Sequence, residues 1–133
     1  MDAAEERFRV QRDHFERVLA RLEQVLLRPE DDVVRDAMIQ RFEFTFETAW
    51  KALYRLLRAR GNDIDEEAYQ VIPAAFARRL IIDQAGWGDM RKYRNLTSHT
   101  YDEKVAVEVA AFIRSQAVDL FRALAVELRK ATA

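Results

Sequence analysis

Glycine and proline occur in this chain of 133 residues only at Gly61, Gly86, Gly88, Pro29 and Pro73, so long stretches hold nothing that would break a helix. Between those five positions apolar side chains recur three and four residues apart, the period of one helix face, and no segment alternates with period two for long enough to make a strand. Phe8, Phe15, Val18, Leu19, Leu22, Val25 and Leu26 mark a first helix over most of residues 2–27, which Pro29 stops. Glu30, Asp31 and Asp32 suit the positive end of a second helix, predicted from about residue 32 to 60. Its stripe is Ile39, Phe42, Phe46, Ala49, Trp50, Leu53, Leu56 and Leu57, and Gly61-Asn62 ends it. At 1.5 Å per residue such a helix is roughly 43 Å long, a length that calls for a bundle. Pro73 suits the first turn of a short third helix reaching about Ile82, and a fourth carries Trp87, Met90 and Tyr93. Thr100-Tyr101-Asp102-Glu103 reads as a capping box with Thr100 as N-cap, opening a final helix marked by Val105, Val109, Phe112, Ile113, Leu120, Leu124 and Leu128. The prediction is an all-α, antiparallel up-and-down bundle of about five helices, a four-helix core plus a short accessory helix, in one domain over residues 1–133.

Half of the residues are apolar, enough for a core in a domain of this size. The absence of cysteine excludes disulfides, thiolate metal sites and thiol nucleophiles. His14 and His99 lie too far apart in sequence to suggest a zinc site, and neither a metal nor another cofactor is expected. Early charges interrupt any signal peptide and no run reaches membrane-spanning length, so a soluble cytoplasmic protein with no membrane partner is expected. A net charge of −1 argues against coating nucleic acid by bulk electrostatics. Locally the balance differs: Arg78, Arg79, Arg91, Lys92 and Arg94 face only Asp83 and Asp89 between residues 73 and 99. Phe44 lies off the main stripe of the second helix, and it and Phe121 are expected to remain outside one subunit. A helix-on-helix homodimer, or a higher homo-oligomer, would explain Phe44, although a scattered exposed aromatic is also ordinary.

Chemistry concentrates in Arg94-Asn95-Leu96-Thr97-Ser98-His99-Thr100-Tyr101-Asp102, which gathers a permanent cation, an imidazole, hydroxyls and a phenol. On one continuous helix Arg94 and His99 would point about 140° apart, so they can share a target only if the helix ends between them. With the next helix starting at Thr100, His99 would sit in the corner beside its N-terminal amides, a place that favours phosphate. Arg94 offers a fork of donors to a phosphate, and His99 can move a proton near neutral pH. Together they suit metal-free RNA cleavage by attack of the ribose 2′-hydroxyl on phosphorus. Asp102 and Glu103 oppose this by placing negative charge at the same helix end. The competing reading pairs Arg94 with a carboxylate and leaves His99 and Tyr101 as corner and packing residues. Asn95, Ser98, Glu47 and Lys51 are candidate supporting or binding residues. Glu43, Glu47 and Lys51 form a row four residues apart on the second helix; it reads either as solvated ion pairs or, for Glu47, as an orienting group for Arg94 or His99. Trp50 is expected in the core, and His14 as structural or exposed.

The string Arg94 to Glu103 resembles the signature of the HEPN superfamily, Arg-x4-6-His between helices of a bundle. The tyrosine two residues after the histidine is similar to the HepT-like branch, also called nucleotidyltransferase substrate-binding proteins. Arg41-Phe42-Glu43-Phe44-Thr45-Phe46-Glu47-Thr48-Ala49-Trp50-Lys51 resembles that branch's second helix, and Trp87 with Met90 its lead into the motif. The resemblance implies a helical, usually dimeric toxin: a metal-independent endoribonuclease with Arg94 and His99 in cleavage. It also implies a small partner nucleotidyltransferase of the MNT type, which silences the toxin by attaching adenylate to Tyr101. An alternative family reading makes the protein a non-enzymatic subunit that binds a nucleotide or phosphate at the same corner and presents it to the transferase.

Overall fold

The computed structural model describes residues 2–131, and these residues form helices joined by short turns. Helix α1 (Ala3–Leu26) starts at Asp2, whose carboxylate accepts from the Glu5 amide at 2.7 Å. Helix α2 (Asp32–Ala59) starts in the same way at Asp31, which accepts from the Val34 amide at 2.7 Å; both caps satisfy amides that have no partner inside the helix. Gly61, with φ of 87°, closes α2. Its amide donates to the Arg58 carbonyl and that of Asn62 to the Leu57 carbonyl, the double bond of a left-handed helix stop.

Helix α3 (Ala68–Ala77) differs from the expectation at both ends. It begins five residues before Pro73, so the proline lies inside it rather than in its first turn. Pro73 is solvent-exposed, where the Tyr69 carbonyl that loses its usual donor can turn to water. The helix stops well before Ile82 because Arg79 adopts φ of 59°, with the Arg79 amide donating to the Phe76 carbonyl and the Leu80 amide to the Ala75 carbonyl. This is the same stop as at Gly61, made without glycine.

Helix α4 (Gln84–Leu96) is capped by Asp83, which accepts from the Gly86 amide at 2.8 Å. A Cβ at Gly86 would meet Asp83 Oδ2 at 2.5 Å, so any larger residue there would make the capping carboxylate shift. After a 3-10 turn (Thr97–His99) come α5 (Glu103–Phe112), a π turn (Ile113–Ala117) and α6 (Val118–Lys130). The last three keep right-handed helical backbone across their junctions and form one rod.

Helix α2 is the axis of the bundle: it packs against α1, α3, α4, α5 and α6. The all-α bundle of five helical rods is therefore as predicted. Phe121 corrects the expectation of exposure, since it is fully buried. Its ring stands edge-on to Phe15 and Trp87 and tilted against Phe42, with centroids 6.1–6.2 Å apart. One residue thus joins α6 to α1, α2 and α4. Phe44 is 53% exposed, as expected. No described helix is long and apolar enough to cross a membrane.

Candidate functional site

The motif occupies the end of α4 and the bridge to α5. Three hydroxyls turn back onto carbonyls three residues earlier: Thr97 to Arg94 at 2.6 Å, Ser98 to Asn95 at 3.0 Å and Thr100 to Thr97 at 3.1 Å. They satisfy carbonyls that a helix end leaves open, and they tighten the chain into the 3-10 turn. Thr100 is thereby not the N-cap. Asp102 takes that role, accepting from the Lys104 amide at 3.0 Å, because the Thr100 hydroxyl is already committed backwards. The expected capping box is thus replaced by an aspartate cap two residues later. The α5 terminus also carries Asp102 and Glu103, so its positive end is occupied by the chain's own carboxylates rather than kept for a phosphate.

Arg94 is half-buried and held from two sides. Its Nη1 donates to Thr97 Oγ1 at 3.0 Å and lies 3.5 Å from Glu43 Oε2. Its Nε is 3.4 Å from Glu47 Oε1, an ion pair without the alignment of a hydrogen bond, so that buried Nε–H has no acceptor. Glu47 is fixed by its other oxygen, which accepts from Trp50 Nε1 at 3.0 Å. Trp50 itself is buried, as expected. The carboxylate row of α2 therefore reaches across to α4 rather than pairing along its own helix. Lys51 takes no part in that contact: its Nζ sits over the Trp50 ring, 5.8 Å from the centroid.

His99 and Tyr101 lie on the exposed side of the bridge. Their rings meet edge to face at 6.1 Å, and Tyr101 is 85% exposed. Tyr93 stacks on Phe112 at 4.2 Å and 11°, clamping α4 to α5 beneath the bridge. Asn95 and Ser98 are exposed on the same segment. His14 lines a separate recess with Arg17, Arg21, Arg41 and Phe44 between α1 and α2. Sequence reasoning left out Thr97 and Glu43 as site residues. A threonine three residues after an arginine at a helix end was the available signal for the first; only the packing of α4 on α2 reveals the second.

Bundle and site together define a helical protein that displays an Arg-x4-His-x-Tyr motif where two of its helices meet. The pattern of the family described as "nucleotidyltransferase substrate binding protein like" matches residues 10–130. The chain belongs to that family, the HepT-like branch of the HEPN superfamily. Over 92 residues it is 35% identical to a Haemophilus influenzae protein described as "Probable ribonuclease HepT", an overlap of 63% of each chain. The chain thus spans less than two thirds of that curated relative's length. A Thermus thermophilus crystal structure shares 34% identity and a TM-score of 0.76, over 86% of this chain and 98% of that one. A second structure, from Haemophilus influenzae, has 26% identity and a TM-score of 0.77 over 89% and 98%. It is described as the fold of a substrate-binding domain of a nucleotidyltransferase.

Proposed function

We propose that this chain is a HepT-like toxin, a metal-independent endoribonuclease, controlled by a small MNT-type nucleotidyltransferase. The supporting observation is the division of the motif: Arg94 is oriented by Glu43, Glu47 and Thr97, while His99 and Tyr101 stand in mutual contact on the exposed bridge. In cleavage the ribose 2′-oxygen bonds to phosphorus as the 5′-oxygen leaves, giving a 2′,3′-cyclic phosphate. His99 takes the proton from the 2′-hydroxyl or gives one to the departing 5′-oxygen, and Arg94 stabilises charge on the phosphoryl oxygens. In control, the Tyr101 oxygen attacks the α-phosphorus of ATP and pyrophosphate leaves. An adenylate on Tyr101 would stand beside the imidazole and block it. The acting unit is a homodimer that covers Phe44, and Phe44→Glu is expected to sediment as a monomer.

Purified protein incubated with cellular RNA and a chelator is expected to cut it, and His99→Ala is expected to lose about a hundredfold or more. Equal cutting by both proteins, or none by either at high concentration, overturns the reading. Mixing with the transferase and ATP is expected to add one adenylate to a peptide containing Tyr101, and to none in Tyr101→Phe. A second reading, a non-enzymatic subunit presenting a nucleotide to the transferase, is favoured by the family description and by the two carboxylates already facing Arg94. It predicts nucleotide binding with no cleavage.

A further inference from the structure

Behind Arg94, α2, α3 and α4 enclose an open recess of about 250 Å³. Its walls are Phe46 and Glu47 from α2, Ala68 and Tyr69 from α3, and Arg91, Arg94 and Asn95 from α4. Arg91 and Arg94 are one helical turn apart and so share a face of α4. Their states differ: Arg94 is tied to two carboxylates, whereas Arg91 has no ion-pair partner among the described residues. The Asn95 side-chain amide likewise has no hydrogen-bond partner among them, although its backbone carbonyl accepts from Ser98. Opposite stands Tyr69, a large aromatic left 55% exposed. The neighbouring Glu67 carboxylate holds its phenol above the ordinary pKa.

We propose that this recess is a nucleotide subsite in which the base stacks on Tyr69, the Asn95 amide reads the base edge and Arg91 holds the phosphate. Each group matches one part of a nucleotide: an exposed aromatic face for the base, a free donor and acceptor pair for its edge, an unpaired guanidinium for the phosphate. Glu47, committed to Trp50 and Arg94, closes the wall and leaves edge reading to Asn95. Where the nucleotide belongs to a strand, the inference rests on the ribonuclease reading and makes it a neighbour of the bond that is cut. A free nucleotide has the same chemistry.

The test uses the full chain carrying His99→Ala, so that bound RNA stays intact, with hexa-adenylate, an abasic analogue of equal length, and AMP as probes. Tyr69→Ala is expected to weaken hexa-adenylate binding about tenfold and leave the abasic analogue unchanged. Tyr69→Phe should bind as the parent does, and Arg91→Ala should weaken both oligonucleotides. Base-dependent loss seen with AMP alone keeps the subsite and assigns it to a free nucleotide. No effect of Tyr69→Ala on any probe, or an equal effect on the abasic analogue, overturns the proposal. Parallel cleavage assays of the otherwise unaltered protein separate it from the ribonuclease reading. Cleavage without Tyr69-dependent binding removes only the subsite, and Tyr69-dependent binding without cleavage removes only the nuclease.

Discussion

In the proposed cleavage Arg94 carries two opposing demands. A guanidinium that is to meet a phosphoryl group needs a fixed fork, which Glu43, Glu47 and Thr97 supply, yet the same carboxylates offset the charge that attracts the phosphate. With five N–H donors, the group can keep an oriented edge while some donors are engaged. Orientation is then the larger effect, and Glu47→Gln should lower kcat by about ten- to a hundredfold without raising KM, since it removes a repelling charge as well as a guide. Steady-state cleavage kinetics check this split; an unchanged kcat would reduce Glu47 to a surface ion pair. Thr97→Val should cost about 1–2 kcal/mol of stability, because the buried Oγ1 both accepts from Nη1 and donates to the Arg94 carbonyl. Urea titration reads that loss, and Thr97→Ser should recover most of it. At this scale Glu47 was legible from its place in the acidic row. Thr97 was passed over although a threonine three residues after the arginine was its local signal, and Glu43, in the same row as Glu47, was not singled out because which carboxylates reach Arg94 depends on the packing of α4 against α2.

Helix ends are fixed by side-chain bonds as well as by the core, and the π turn shows how one helix supplies another. Helix α1 has no basic residue in its last turn. The missing cation comes from Arg114 in the π turn, whose Nη1 donates to the Leu26 carbonyl at 2.9 Å and Nε to Glu30 Oε1 at 2.9 Å. The extra residue of the π turn re-aims the side chains around it, and the same arginine touches Met38 Sδ in α2. Arg114→Ala should therefore destabilise the protein by about 1–3 kcal/mol, measured by thermal or urea unfolding. Glu30, held by Arg114 first and Arg35 second, has its pKa lowered from the ordinary 4.5. Its contribution is present above that ordinary value and is lost as pH falls through the lower folded one. Glu30→Gln should accordingly flatten the stability profile on the acid side of pH 4.5 and leave the slope near neutrality unchanged. Helix ends were also where sequence reading failed. Apolar period placed α1 and α2 closely, whereas α3 was displaced by an interior proline and a left-handed arginine, and α5 by a threonine hydroxyl that turned backwards. Each of these departures is a local competition between hydrogen bonds that periodicity does not record.

Across the whole molecule, stability and site share one support. Because α2 touches every other helix, the Arg94 cluster stands on the same helix that organises the core, and Trp50 beneath Glu47 belongs to that core. Phe121 is the far anchor: from α6 it meets Phe15 of α1, Phe42 of α2 and Trp87 of α4. The apolar stripe expected for the final helix runs through Leu120, the residue before Phe121. The π turn before it shifts the helical phase, so that Phe121 is fully buried and Leu120 only partly so. A cavity in place of this ring would open against three helices at once, and Phe121→Ala should cost about 3–5 kcal/mol. If the bundle is one cooperative unit, the loss will lower the urea midpoint while tryptophan fluorescence, from Trp50 in α2 and Trp87 in α4, and far-ultraviolet circular dichroism still move together. If the fluorescence transition of the variant instead precedes the loss of helix, α4 can detach while the rest stays folded, and the motif it carries rests on a separable element.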